Sequence, residues 1–404
     1  MPTTWQHDPS LYAPARYRRA CSYEAFVPDP VGDVDPVVPG EVAGIVADAE
    51  AAIRDLNAVA HPALAPLARL LLRTESIASS KVEGIHVDAR ALARAEGRAE
   101  SGGRLASTVG EVLANIDAME VAIDSTTSRP RVSVPDIEQV HRALMHRSAP
   151  AIAGRIRDTQ NWIGGNDHNP CGAAFVPPPP REVARLMADL CDLLDDERLS
   201  PLTQAALVHA QFETIHPFVD GNGRTGRALV HVVLRRRRLA PDYVPPISVS
   251  LAAHRSRYIE GLVAFREDDL SRWLSLFAEA AAHSAGLARA HLDAVRLLQD
   301  RWREQLRAGA DPRSDSVAWH LIDVLPAYPV LSLPAAVAAT GRTKAVVNAA
   351  LGHLEDAGVL ERLGGGERNR TWEASGLLDL LEALESAAAP PRGLVADGVP
   401  TATE

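Results

Sequence analysis

His216-Pro217-Phe218-Val219-Asp220-Gly221-Asn222-Gly223-Arg224-Thr225-Gly226-Arg227 is the stretch that decides both fold and chemistry in this chain. Just upstream, Ala205, Val208, Phe212 and Ile215 recur at three- and four-residue steps, the signature of one buried helical stripe. That helix delivers His216 to its C-terminal end, where Pro217 stops it. Gly221 and Gly223 then supply a turn in which positive φ carries no steric cost. A new helix is expected from about Arg224 through Leu234. Backbone N–H groups of a glycine turn, pointing with a helix N-terminus, form an anion nest. Arg224 and Arg227 stand at that N-terminus, where cations oppose the helix dipole unless an anion lies between them. A polyphosphate resolves the conflict. Asp220 offers a hard oxygen ligand for Mg²⁺, and His216 a base that is neutral near pH 7.

Three other readings of these letters are weaker. Gly221-x-Gly223-x-x-Gly226 matches the dinucleotide fingerprint, but that motif follows a strand inside a βαβ unit, and here a helix precedes it. A phosphate-binding P-loop ends in Gly-Lys-Ser/Thr, whereas this chain reads Gly226-Arg227-Ala228. His209, Glu213 and His216 share a helix face, yet the HExxH pattern of a zinc hydrolase is absent and His209 reads as a packed or surface histidine.

The whole string resembles the Fic family motif, His-Pro-Phe-x-Asp/Glu-Gly-Asn-Gly-Arg-x-x-Arg, with every defined position filled. The resemblance reaches Gly154-Arg155-Ile156-Arg157, Gln160-Asn161-Trp162-Ile163-Gly164 and Val176-Pro177-Pro178, similar to the family's target-docking flap. It extends upstream to Ser79-Ser80-Lys81-Val82-Glu83-Gly84, which looks like the family's inhibitory motif, so that it covers about residues 40–280. The resemblance implies an adenylyltransferase that moves AMP from Mg²⁺-ATP to a Ser, Thr or Tyr hydroxyl of a target protein, itself included. His216 then deprotonates the hydroxyl, Asp220 holds Mg²⁺, Gly221, Asn222 and Gly223 cradle the α-phosphate region, and Thr225 and Gly226 belong to the same ATP-binding stretch. Arg224 and Arg227 hold the outer phosphates. An extended target segment would lie along the flap of Gln160, Asn161, Trp162, Ile163 and Phe175 by strand addition. Ile163 is equally readable as packing beneath the hairpin. Tyr258 would stack on adenine, but Ile259 and Arg266 stand where the family often has a second tyrosine and an asparagine, which leaves UTP and CTP open. Ser79, Glu83 and Gly84 imply a brake in which Glu83 occupies Arg227. A de-AMPylase, with Glu83 positioning a water, is the enzymatic alternative.

Working outward, the fold expected is mostly α: a Fic-type helical core with a small β-hairpin flap, plus a C-terminal winged-helix domain. The 404 residues suffice for two or three cores, and a 4% aromatic share favours helices over a β-sandwich. The organisation expected is an extended proline-rich arm (1–40), a helical region with the inhibitory motif (41–110), the catalytic core (111–285) and a connector helix (286–310). A winged-helix unit (311–376) and a partly disordered tail (377–404) follow. Within the helical region, breaks are placed near residue 73 and at Pro130 and Pro135; two apolar runs around residues 160–176 read as a hairpin. In the C-terminal unit, Leu333–Thr340 and Thr343–Ala357 read as helix–turn–helix. Val359–Leu363, Gly364-Gly365-Gly366 and Arg370–Glu373 read as its wing. Arg342, Lys344, Arg368 and Arg370 make a local basic patch, although residues 313–376 are near neutral and the chain carries −10 overall. DNA is therefore the alternative partner to a protein-interaction or homodimer role, and a transcriptional regulator with a nucleotide-sensing core is the non-enzyme reading. Cys21, Cys171 and Cys191 are scattered and odd in number, so reduced thiols in a cytoplasmic protein are expected. No apolar leader or spanning stretch is apparent, so no membrane partner is expected.

Overall fold

The computed structural model describes residues 1–391 except 11, 33, 35, 59–64, 101–105, 128 and 364–369. In chain order the elements are β1 (Pro2–Trp5), β2 (Cys21–Glu24), α1 (Gly40–Ala58), α2 (Ala65–Val82), α3 (Ala89–Glu100), α4 (Ser107–Thr127), α5 (Val134–Met145), α6 (Pro180–Leu194) and α7 (Pro201–Ile215). There follow α8 (Asn222–Arg236), α9 (Ile247–Ala253), α10 (Arg255–Arg266), α11 (Leu270–Gly309), α12 (Val317–Val324), β3 (Val330–Ser332), α13 (Leu333–Thr340), α14 (Lys344–Asp356), β4 (Leu360–Leu363), β5 (Thr371–Ala374) and α15 (Leu377–Glu385). The fold is mostly helical, as expected.

The chain divides into two compact units. The first comprises Met1–Val46, Asp117–Arg237 and Ile259–Phe277. Its centre is α7, every residue of which from Leu202 to Ile215 is buried. Pro201 fixes the first turn and the Ser200 hydroxyl accepts the Thr203 N–H at its N-cap. α8 lies against α7, and Gly226 permits the approach: a Cβ there would stand 2.9 Å from Glu213 Oε1 and 3.0 Å from Phe212 Cδ1. Trp273 anchors the other side, its indole N–H donating to the Ala206 carbonyl at 3.0 Å.

The second unit comprises Ala47–Ile116, Arg238–Tyr258 and Ala278–Glu404. α2 is its spine. The buried Glu75 carboxylate accepts both the N–H of Ser248, at 2.8 Å, and its hydroxyl, so α9 is locked to α2. Ile77 packs with Leu92, Val112 and Ile116. Residues 317–385 run helix, strand, helix, helix, strand, strand, helix, with an antiparallel sheet in the order β3-β5-β4. Arg90 of α3 reaches Glu373 on β5 and Asp379 and Glu382 on α15, fastening this module to α3.

Four expectations need correction. The arm of residues 1–40 is not simply extended, because β1 pairs with β2 in an antiparallel hairpin. No helix break falls near residue 73: α2 runs unbroken from Ala65, since Leu70, Leu71, Thr74, Ile77 and Ala78 keep one face continuously buried. The connector is not a separate helix either; α11 begins at Leu270 and continues for 40 residues. Residues 377–385 form α15, which buries Leu377, Leu378, Leu380, Leu381 and Leu384. Finally, Cys21 and Cys171 are not reduced thiols but a disulfide, with Cα atoms 6.2 Å apart across 150 residues of sequence. Gly364-Gly365-Gly366, Arg368 and the end of the tail (392–404) lie outside the described residues. Among the described residues no helix is long and apolar enough to cross a membrane.

Candidate active site

Within the first unit α7 ends at Ile215, and His216 takes the left-handed conformation (φ 49°) as its C-cap, donating its N–H to the Phe212 carbonyl at 2.9 Å. A non-glycine residue at positive φ costs energy, so something must hold it. Arg157 does. Its Nε–H donates to the His216 carbonyl at 2.8 Å, while its other donors reach the carbonyls of Ile215, Thr159 and Pro178. Its own N–H adds a bond to the Pro217 carbonyl at 2.9 Å. Arg157 is buried, and burial lowers its guanidinium to about 10.

The turn closes on itself through Asn222. Its side chain accepts the Phe218 N–H at 2.9 Å and donates to the Phe218 carbonyl at 2.8 Å. Gly221 sits at φ +77°, and a Cβ there would lie 3.0 Å from Met145 Sδ and 3.2 Å from His141 Nε2. His141, on α5, braces the turn from below. Its ring stacks on Phe218 with centroids 3.7 Å apart and a 6° tilt. Its Nδ1 accepts the Gly154 N–H at 2.9 Å, so the proton is on Nε2, which donates to the Asp220 carbonyl at 2.9 Å. Burial lowers this imidazole to about 4.

α8 then opens with Asn222, Gly223 and Arg224, whose N–H groups have no carbonyl within the helix to bond. Thr225 turns both its N–H and its hydroxyl back to the Gly221 carbonyl, at 3.1 and 2.9 Å. Arg224 and Arg227 are 4% and 2% exposed: two guanidiniums buried beside a helix N-terminus. Asp220 is exposed, and its Oδ1 accepts the Gly221 N–H at 2.6 Å. His209 is fully buried within 6.2 Å of Trp273 and Phe277. Burial, with Arg227 adding to it, lowers its pKa to about 3. It is a packed histidine.

The flap is a small antiparallel hairpin joined at Ile163 and Phe175. Ile163 donates to the Phe175 carbonyl at 2.8 Å and accepts from its N–H at 3.1 Å. Ile163 is 39% exposed, so it does not pack beneath the hairpin. Its neighbours are committed to the frame. Asn161 donates to the Phe218 carbonyl at 2.9 Å, Gln160 to that of Pro177 at 2.9 Å and the Trp162 indole to that of Asn166 at 2.6 Å. The Arg266 guanidinium lies 4.0 Å over the Phe175 ring.

The structure therefore gathers His216, Asp220, Gly221 to Arg227, Gln160 to Ile163 and Phe175 into one unit. Ser79, Glu83, Gly84 and Tyr258 belong to the other. There Ser79 is buried on α2, while Gly84 (φ +82°) ends that helix and leaves Glu83 exposed just beyond it. Tyr258 is buried on α10. Sequence reasoning missed His141 and the structural task of Arg157. The second lay in a quoted string; the first had no local signal.

Comparison with known proteins agrees with this geometry. Residues 131–234 match the Fic/DOC family and residues 45–124 the Fic/DOC family N-terminal region. The protein adenylyltransferase fic-1 of Caenorhabditis briggsae is 35% identical over 117 residues, 28% of this chain and 21% of that protein. That of Caenorhabditis elegans is 30% identical over 172 residues, 42% of this chain and 30% of that protein. The chain thus spans about a fifth to a third of the length of these relatives. A crystal structure of a Fic family protein from Desulfovibrio desulfuricans shares the fold, with a TM-score of 0.51 and 22% identity over 84% of this chain and 98% of that one. A glycine turn set on a braced histidine, the two family matches and the shared fold converge: residues 131–234 are similar to the Fic/DOC domain, with a segment similar to the family's N-terminal region ahead of them.

Proposed function

We propose that the chain is a protein adenylyltransferase, transferring AMP from ATP to a side-chain hydroxyl of a target protein. One observation carries the reading: a histidine held at a helix C-cap is joined by one glycine turn to a helix N-terminus that buries two arginines. His216 takes the proton of the attacking hydroxyl. The new bond joins that oxygen to the α-phosphorus, and the bond from the α-phosphorus to the β-bridging oxygen breaks, so pyrophosphate leaves with its electron pair. The first N–H groups of α8 bind the negative charge that spreads over the α-phosphoryl oxygens, and Arg224 and Arg227 hold the departing phosphates. Catalysis is then positioning and charge neutralisation plus one proton transfer, and removing the base costs about 10²–10⁴ in rate.

Mg²⁺ fits the residues present. Among the described residues no cluster of three acidic, histidine or cysteine ligands could hold a metal alone. A single exposed carboxylate beside the anion nest, Asp220, suits an ion that takes most of its ligands from phosphate and water. When bound, such an ion would offset phosphate charge.

Glu83 acts as a brake in this reading, drawing Arg227 away from the γ-phosphate, which rests on the Ser79-x-x-x-Glu83-Gly84 resemblance. The module of residues 317–385 has the helix, strand, helix, helix, strand, strand order of a winged helix, with Arg342, Lys344 and Val346 exposed at the start of α14. Its acidic balance, five Lys/Arg against nine Asp/Glu, favours a protein partner over DNA, and a salt-dependent gel shift on random duplex separates the two. The central test is incubation with α-labelled ATP and Mg²⁺. Glu83→Gly should gain label on itself, and a further His216→Ala should abolish it. Label on neither wild type nor Glu83→Gly, with ATP bound to both, sinks the transferase reading. Release of AMP from a modified protein by the wild type would favour the de-AMPylase.

A further inference from the structure

The disulfide of the first unit joins two places that the proposed chemistry does not use. Cys21 is the first residue of β2, and Cys171 lies in the loop of the docking flap. From these two residues the chain runs on in the same sense on both sides. Five residues later the Phe26 N–H donates to the Val176 carbonyl at 2.9 Å. Segments 21–26 and 171–176 are thus clamped at both ends, covalently at one and by a backbone hydrogen bond at the other. Among the described residues this is the one backbone hydrogen bond between them, and a groove of about 570 Å³ opens along them. The flap loop gains two more ties to the N-terminal segment. Asn169 donates to the Tyr17 carbonyl at 3.0 Å, and the Tyr17 ring lies 5.1 Å from that of His168. At the far end Phe26 and Phe175 stand 6.0 Å apart, so the segment bears on the residue that pairs with Ile163. Both cysteines are only partly buried, so a reductant reaches them.

We propose that Cys21 and Cys171 are positioning residues for acceptor docking: their disulfide makes residues 1–27 a second wall of the flap and sets the edge on which the acceptor polypeptide lies. This rests on the transferase reading above. Strand addition needs a preordered edge, since an unordered one must lose entropy at the moment of binding. Ile163 spends its backbone groups on Phe175, so by strand alternation those of Trp162 face the free edge, while Gly164 (φ +75°) already turns away from the strand. That edge is only as fixed as Phe175 behind it. A dithiol reverses the clasp: two electrons and two protons pass from it to the protein, giving two cysteine thiols and the oxidised cyclic disulfide of the reagent. The segment is then held by hydrogen bonds and rings alone.

The test uses the full chain, oxidised or treated with dithiothreitol. Peptide mapping under non-reducing conditions should find residues 21 and 171 in one linked pair, and finding both thiols free in the oxidised protein overturns the proposal. Amide exchange should rise on reduction across 1–27 and 160–176 but stay level at 216–227; unchanged exchange in the flap also overturns it. For kinetics, Glu83→Gly serves as enzyme, and a full chain carrying His216→Ala, Cys21→Ser and Cys171→Ser serves as acceptor, so that only the enzyme's disulfide varies. Reduction should raise the KM for acceptor several-fold with the KM for ATP constant, and reoxidation should restore it. Equal changes in both constants, or none, contradict the assignment. Failure of Glu83→Gly to transfer AMP in either redox state instead defeats the transferase reading, while the exchange experiment still decides whether the disulfide orders the flap.

Discussion

Removing the His141 ring should loosen the glycine turn more than any change within the turn itself. The imidazole accepts the Gly154 N–H and donates to the Asp220 carbonyl, both at 2.9 Å, with no exposure to solvent. Truncation to alanine leaves the buried Gly154 N–H without its partner, at a cost of about 1–3 kcal/mol, and removes the bond to the part-buried Asp220 carbonyl, worth about 1 kcal/mol. It also removes a ring stacked on Phe218, worth about 1 kcal/mol. The sum is about 3–5 kcal/mol. Each kcal/mol lowers the midpoint of a domain of roughly 150–250 residues by about 2–4 °C, so calorimetry should show His141→Ala melting about 6–20 °C below wild type. Side-chain geometry sharpens the test. Asparagine can place an oxygen near Nδ1 and glutamine an amide near Nε2, so His141→Asn and His141→Gln should each recover part of the loss by restoring one bond. A His141→Ala protein that melts within about 2 °C of wild type would refute the idea that this ring holds the turn.

Three further outcomes follow from the same geometry. Burial keeps His141 neutral down to about pH 4 against an ordinary value of 6.5, so the unfolded chain takes up the proton first as pH falls. Its contribution is therefore complete above pH 6.5 and is lost toward pH 4, up to about 3 kcal/mol, so the melting midpoint should fall less steeply over that window in His141→Gln. His209 acts in the same direction, so some slope should remain. Gly221→Ala forces a side chain to φ +77° against Met145 and His141; a loss of about 1–3 kcal/mol in stability, with weakened ATP binding by calorimetry, is expected. Arg157→Lys keeps charge but cannot span the carbonyls of Ile215, His216, Thr159 and Pro178, so kcat for AMP transfer should drop by about 100-fold with the KM for ATP little changed.

What could be read from the sequence was set by locality. The end of α7, the stop at Pro217 and the helix after the glycines are local events, and the twelve-residue string places them to within two residues. The hairpin at 160–176 was legible for the same reason, since turn residues separate two apolar runs. Helix boundaries governed by burial were not. Arg73 and Thr74 look like a seam only until the packing of α2 shows the stripe passing through, and Gly286 weakens but does not break α11. The disulfide shows the limit most plainly. Its cysteines are 150 residues apart, and no spacing rule connects them until the fold does. His141 escaped because a histidine in an amphipathic helix carries no mark of the loop it will support 79 residues later.

The same distinction explains how the site is built. Asn222, Thr225, Asn161 and Gln160 spend their side chains on backbone groups of the turn and flap rather than projecting toward a ligand. A motif of this kind is mostly scaffold. It fixes a strained histidine and a glycine at positive φ on either side of the turn that opens α8. Arg224 and Arg227 are then buried at the end of α8 where the dipole already favours negative charge, an arrangement that weakens the helix when no anion is present. Stability is lost there and recovered in the packed α7, in Arg157 and in His141, none of which need touch the nucleotide. A substitution in that supporting set should therefore resemble an active-site lesion in its kinetics and a core lesion in its melting, whereas changing His216 should affect the first alone.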